Sequence, residues 1–257
     1  MQLSPEEIEA LIPRSLKITQ EDMAKRKVLD IRRWMCMARP QYPKSCGISS
    51  LVSCWNYLYS TLGAGQNQPI STEEALEVLG FKPPYANVSF GSFTGNDTLI
   101  QWFGLLNRKF GVKGEASIVF KLNGKSITHN TDQYLALDLI KDGLRADDRS
   151  YIYHCYNHYM CPVGFEMTPV KPFDSYSLMA DISEFDTWII IGEISKMHPS
   201  FHIKKWQDIV TDISCAFPEF YNIRKSELGI QLKESPVFTE GKHKGGNLHC
   251  IMQFKRI

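Results

Sequence analysis

No stretch of this sequence stays apolar long enough to cross a bilayer, which argues against a membrane-spanning helix. Neither sign of charge is in excess: 29 Lys and Arg face 28 Asp and Glu, for a formal net charge of +1. That balance gives no electrostatic reason to expect nucleic acid or acidic lipid as the main partner. Internal repeats and low-complexity tracts are missing too. The opening residues, MQLSPEEIEALIPRS, are too acidic for a secretory leader and read as a short helix over 5–12 or a mobile arm within 1–24. Seven cysteines are an odd count at irregular spacings, so no disulfide framework is expected. Free thiols fit a reducing compartment, which makes the expected location cytoplasmic, with the nucleus as the alternative.

Cofactor patterns are equally scarce. Gly63-Ala64-Gly65-Gln66 lacks the form of a phosphate loop and reads as a helix C-cap. His154, Cys155, His158 and Cys161 invite a zinc reading. An extended segment would turn His158 and Cys161 to opposite faces, and no second Cys-x-x-Cys pair completes a tetrahedral set. Asp208 and Asp212, at i and i+4, read as surface charge rather than a metal pair. No cofactor and no metal are expected.

What the chain does have is core material: 257 residues with 43% hydrophobic content. Its patterning predicts one α+β domain over 25–257, a helical lobe (25–112) followed by a strand-rich lobe (113–257). Expected helices cover 20–35, with Val28, Ile31 and Trp34 as buried stripe, a segment from Cys46, 72–79 ended by Gly80, 96–110, 131–144 and 201–214. Expected strands cover 114–122, 150–155, 158–170, 187–194 and 247–257. The polar, glycine-containing loop 233–246 is expected to be mobile. Arg32, Arg33 and Arg39 lie close in sequence to Cys46 and read as a solvated helix face, with an acidic substrate group as the sharper alternative.

One stretch organises the rest. After the loop Arg39-Pro40-Gln41-Tyr42-Pro43-Lys44-Ser45, Cys46 opens a helix whose apolar positions are Ile48, Leu51, Val52, Trp55, Leu58 and Leu62. Unpaired N–H groups and the positive end of the macrodipole favour an anion at a helix start. A thiol placed there loses its proton more readily, and the thiolate is the nucleophile. Gln41 is positioned to donate a side-chain N–H to a developing oxyanion. Cys54, further along the helix, has no such context and reads as core.

A thiol nucleophile needs a base, and the base needs an orienting group. His158 begins a predicted strand, so it can face a cleft at the edge of a sheet. The next strand, Trp188-Ile189-Ile190-Ile191-Gly192-Glu193, ends in a carboxylate that would reach His158 if the two strands pair. A register slip of one would put Gly192 there instead. His249 also precedes a strand and is the rival base, but no following strand brings it an acid. His198 and His202, flanking Pro199, read as loop histidines without a role.

The order Gln41, Cys46 at a helix start, His158 at a strand start and a polar residue closing the next strand resembles the papain-like cysteine peptidases, particularly the peptidase C39-like branch. The resemblance implies Cys46 as nucleophile, His158 as general base, Gln41 as oxyanion donor and Glu193 in the orienting position, where those enzymes usually have Asn or Asp. It also implies a papain-like fold. KRKVLDIRRWMCMARPQYPKSCGISSLVSCWNYLYSTLGAG, YIYHCYNHYMCPVGFEMTPVK, WIIIGE, KKWQDIVTD and GGNLHC resemble the basic immunoglobulin-like variable motif-containing family, from about Lys25 to the C-terminus. The vertebrate members carry long tails on both sides, so this chain is expected to be a compact relative. An immunoglobulin sandwich is not expected, because helices dominate the first half.

Three functional classes follow. The leading one is a cysteine peptidase acting on a peptide or isopeptide bond of a protein or peptide substrate. The same residues would serve a deamidase or acyl transferase. A binding module on a degenerate peptidase scaffold is the third.

Overall fold

The structure is a computed structural model, and it describes residue 4 and residues 18–37, 41–172, 175, 184–193, 200–216, 218–232 and 248–257. The helix expected over 5–12, Arg39, His198 and the whole loop over 233–246 lie outside the described residues.

The helix expected over 20–35 is broken in two. Helix α1 (Gln20–Ala24) is capped by Thr19, whose hydroxyl and backbone exchange hydrogen bonds with Asp22. Strand β1 (Lys27–Leu29) follows, then helix α2 (Ile31–Met35), whose first turn is capped by the Asp30 carboxylate. Aspartate competes for backbone N–H groups and favours a cap over a helix interior. Lys27–Leu29 gains a full antiparallel register with Glu166–Gly164. Val28 packs on the core as expected, but Ile31 is 54% exposed.

Helix α3 (Cys46–Tyr59) is the axis of the fold, and all its residues from Gly47 to Tyr59 are buried. Its polar residues are satisfied internally: Ser53 donates to the Ser49 carbonyl at 2.7 Å, and Asn56 donates to and accepts from the Ile70 backbone. Leu62 lies beyond the helix end at 36% exposure. Around α3 stand α4 (Thr72–Val78), with a Ser71–Glu74 capping box, and α5 (Asn96–Phe110), ended by Gly111 in the left-handed region at φ 66°. Trp55 of α3 donates its indole N–H to Asn107 of α5 at 3.1 Å and packs against Tyr59 and Phe110.

The remaining elements are β2 (Gly114–Phe120), α6 (Gln133–Arg145), β3 (Arg149–Cys155), β4 (His158–Pro169), β5 (Phe185–Glu193), β6 (Ser200–Lys205), α7 (Trp206–Ser214), β7 (Glu219–Tyr221), β8 (Ile230–Leu232) and β9 (Cys250–Arg256). Among the described residues, seven strands form an antiparallel sheet in the order β2-β9-β3-β4-β5-β6, with β1 also on β4. β7 and β8 form a separate ribbon. A tight turn at Tyr156-Asn157, with Asn157 at φ 52°, joins β3 to β4 and sets His158 opposite Cys155. The helix expected over 201–214 begins only at Trp206. Phe201 and Ile203 alternate with His202 and Lys204 at a period of two, and the segment pairs with β5 from Trp188↔Lys205 to Glu193↔Ser200.

The sheet divides two cores. α3, α4 and α5 pack on one face with Ile152, Cys161 and Phe254 of the sheet. α6 and α7 pack on the other with Phe165, Ile189 and Ile251. The described residues therefore form a mixed α+β fold built on a mainly antiparallel sheet. The start of α3 lies against the start of β4, and the candidate site forms there.

Candidate active site

The loop before α3 is a tight turn. Tyr42 N–H donates to the Ser45 hydroxyl at 2.8 Å, Ser45 N–H donates to the Tyr42 carbonyl at 3.0 Å, and Lys44 takes φ 61° to close the turn. The Tyr42 hydroxyl donates to Glu73 of α4 and is pushed up to about 12 by that bond. So anchored, the turn delivers Cys46 as the first residue of α3.

The Cys46 thiol feels opposing influences. Burial pushes its pKa up, but the His158 imidazole beside it pulls down, through a side-chain hydrogen bond and through charge. Hydrogen bonds from the backbone of Tyr159 and Gly47 pull the same way, and the net result is below the ordinary thiol value. At Cys36, Cys54, Cys215 and Cys250 burial instead raises the thiol pKa. No disulfide bond joins the described cysteines.

A small, open-sided recess lies at the thiol. Gln41, Cys46 and His158 all line it, together with Met37, Ser49, Ser50, Tyr159, Cys161 and Gly192. Three of the four expected site residues thus meet in one place. The fourth, Glu193, closes β5 one residue beyond Gly192, which stands opposite Cys161; its side chain lies outside what the structure describes. Gly192, the residue a slip of one would select, is itself in the wall. Met37 and Tyr159 were not legible as site residues. Met37 sits in a loop, and Tyr159 faces the recess only because the turn at Asn157 sets the phase of β4.

His249 is placed differently, and the reason given against it needs correcting. It does have an acid, from a helix rather than a following strand: its Nδ1 lies 2.9 Å from Asp212 Oδ1. Asp212 is fully buried on α7 and accepts a second bond from the Tyr153 hydroxyl, so it is not surface charge. Asp208 accepts from Tyr221 at 3.1 Å. His249 does not line the Cys46 recess. Between the two sites lies His154, stacked on Tyr159 at 4.2 Å and donating its Nδ1–H to the Leu248 carbonyl. Burial, then the nearby His249, lowers its pKa to about 3 and keeps it neutral.

Arg32 and Arg33 are structural. Arg33, 2% exposed, lies over Tyr57 and donates to the carbonyls of Gly143, Ala146 and Arg149, so it belongs to no solvated face. Arg32 pairs with Asp30 and Asp147. His202 is on β6, opposite Ile191, rather than in a loop. Among the described residues, no three His, Cys, Asp or Glu side chains gather as a metal site, and no helix is long and apolar enough to cross a membrane.

Comparison with known proteins agrees with the motifs. The family model described as "Basic immunoglobulin-like variable motif-containing protein" matches residues 22–257. Curated proteins of that name are 51% identical over 92% of the chain in Xenopus laevis and 50% identical over 92% in Homo sapiens; the match covers 46% of each relative. The chain thus spans about half the length of these relatives. A relative in Giardia intestinalis is 29% identical over 81% of the chain and 82% of its own length. No solved structure matches. The chain belongs to the basic immunoglobulin-like variable motif-containing protein family.

Proposed function

We propose that this family member is a cysteine hydrolase with a papain-like arrangement, a peptidase acting on a peptide or isopeptide bond. The observation that carries the reading is the contact of His158 with a depressed-pKa Cys46 at the start of α3, in a recess that Gln41 also lines. The thiolate attacks the amide carbonyl, forming a C–S bond. The Gln41 side-chain N–H and the Cys46 backbone N–H hold the resulting oxyanion. Collapse breaks the C–N bond, and His158, as imidazolium, gives its proton to the leaving amine. Neutral His158 then takes a proton from water, which attacks the thioester; a second collapse releases the carboxylate and restores Cys46. In this reading Glu193 orients the imidazole. The protein or peptide substrate class is what the resemblance to papain-like peptidases implies. Product analysis tests the reaction type: a peptidase releases a new α-amine or lysine amine, whereas release of ammonia makes the enzyme a deamidase, and no product from a Cys46-competent protein leaves a binding module.

A further inference from the structure

An open apolar surface begins at the wall of the recess. Gly192 lines the recess and stands opposite Phe201 on β6, which is 40% exposed and stacks on Trp34 of α2 at 4.2 Å. Met37, just past α2, closes the same corner: a Cβ on Gly192 would lie 3.3 Å from its sulfur. One step along the strands, Leu29, Gly164, Ile190 and Ile203 form a row in continuous register across β1, β4, β5 and β6. Cross-strand partners share a face and successive residues alternate. Val28, Phe165 and Ile189, one residue off this row, face the core under α6 and α7, so the row faces the other way. Its ends are open: Leu29 is 50% exposed and Ile203 63%. The next row on the same face, Lys27, Glu166, Trp188 and Lys205, brings charge and closes the strip.

We infer that this strip seats an extended segment of the substrate polypeptide next to the scissile bond, recognising apolar side chains at alternate positions. The inference rests on the hydrolase reading and deepens it. Continuity argues for the substrate as occupant, since the residue that walls the recess also starts the strip. Gly164 and Gly192 are themselves covered, by the Val28 backbone and by Met37, so the exposed apolar part of the strip is Phe201 and Ile203 with Leu29 at the other end. Among the described residues it is uncharged until the row of Lys27 and Lys205. Phe201 and Ile203 repeat at about 6.8 Å, the spacing of alternate side chains on an extended chain. Among the described residues a charged ligand would find no partner along the strip, and a folded partner has no reason to prefer the edge of a nucleophile recess.

The test is protection of Cys46 in the whole protein, which needs no turnover and no knowledge of which side of the scissile bond docks. Iodoacetamide labels Cys46 in the presence of a short blocked peptide alternating leucine with serine, or the same peptide with glutamine for leucine. The leucine peptide slows labelling at about tenfold lower concentration than the glutamine peptide. Ile203→Glu removes that advantage, each variant being compared with its own peptide-free rate. Leu232→Glu, at an equally exposed apolar residue on the β7–β8 ribbon, leaves the advantage intact. Equal protection by the two peptides overturns the inference, as does a leucine advantage that survives Ile203→Glu. Unselective labelling of Cys46 in the peptide-free reaction counts against the hydrolase reading instead, so the two failures are separable.

Discussion

Asp212→Ala separates the two histidine sites. Asp212 is fully buried and holds His249 Nδ1 at 2.9 Å and the Tyr153 hydroxyl. Truncation takes the Asp212 acceptor from a partly buried ring nitrogen and from a fully buried hydroxyl. Removing one member of a buried, hydrogen-bonded pair costs about 3–5 kcal/mol, the scale expected here because two partners lose an acceptor together. For a domain of this size each kcal/mol lowers Tm by about 2–4 °C, which gives a drop of roughly 6–20 °C in calorimetry or thermal circular dichroism. Asp212→Asn keeps one acceptor oxygen and should lose clearly less. Below the transition, the iodoacetamide rate at Cys46 stays within about twofold of the unsubstituted protein, because His158 rather than His249 faces the thiol. A Tm change under about 2 °C, below the drop expected for one kcal/mol, would refute the structural role. A collapse of Cys46 reactivity in a folded Asp212→Ala protein would return His249 to the catalytic site.

Three further outcomes follow from the geometry. Gln41→Ala should lower turnover by about 10²–10³, the loss typical for one oxyanion donor, with iodoacetamide labelling of Cys46 nearly unchanged because alkylation develops no oxyanion; a turnover loss below about threefold would remove Gln41 from that role. Trp55→Ala should destabilise the protein by about 3–5 kcal/mol in urea unfolding, because a fully buried indole also gives up its bond to Asn107; a cost under about 1 kcal/mol would contradict the packing of α3 on α5. Gly192→Val would bring side-chain atoms against Val163 and Met37, with the added Cβ 3.1 Å from Val163 Cγ1, and should slow bulky thiol reagents at Cys46 more than iodoacetamide. Equal slowing of both would mean that Gly192 does not shape the entrance.

The legible parts of the fold are those where local chemistry agrees with tertiary packing. Ser71 with Glu74, Gly111 after Phe110 and the turn at Asn157 mark their boundaries by side-chain and φ requirements, and the structure has an element end at each. Strands β1 and β6 were hidden. Each is short, next to a helix and rich in lysine, so a helical window absorbs it, and only pairing with β4 and β5 decides the matter. At the site, Cys46 was readable because a helix start acts on the residue beside it. The Asp212–His249 pair was not, since it joins a helix to a strand start far along the chain. A carboxylate sharing a helix with the buried Ile209 and Ile213 was the available signal. Placing the side chain opposite His158 needs the end of β5 and beyond, where sequence gave only two adjacent choices, Gly192 and Glu193.

The most direct test is the pH dependence of iodoacetamide labelling at Cys46 in the intact protein and in His158→Ala. A thiolate held below the ordinary thiol range is the reactive form at lower pH, so labelling should rise with pH and reach its plateau early. At pH 7 it should exceed an ordinary thiol, only about 3% ionised, by up to about 30-fold. Without His158, burial is opposed only by the backbone of Tyr159 and Gly47, so the profile should move to higher pH and the advantage at pH 7 should largely vanish. A Cys46 profile that matches an ordinary thiol, or one that His158→Ala leaves in place, would contradict the Cys46–His158 pair as a catalytic unit.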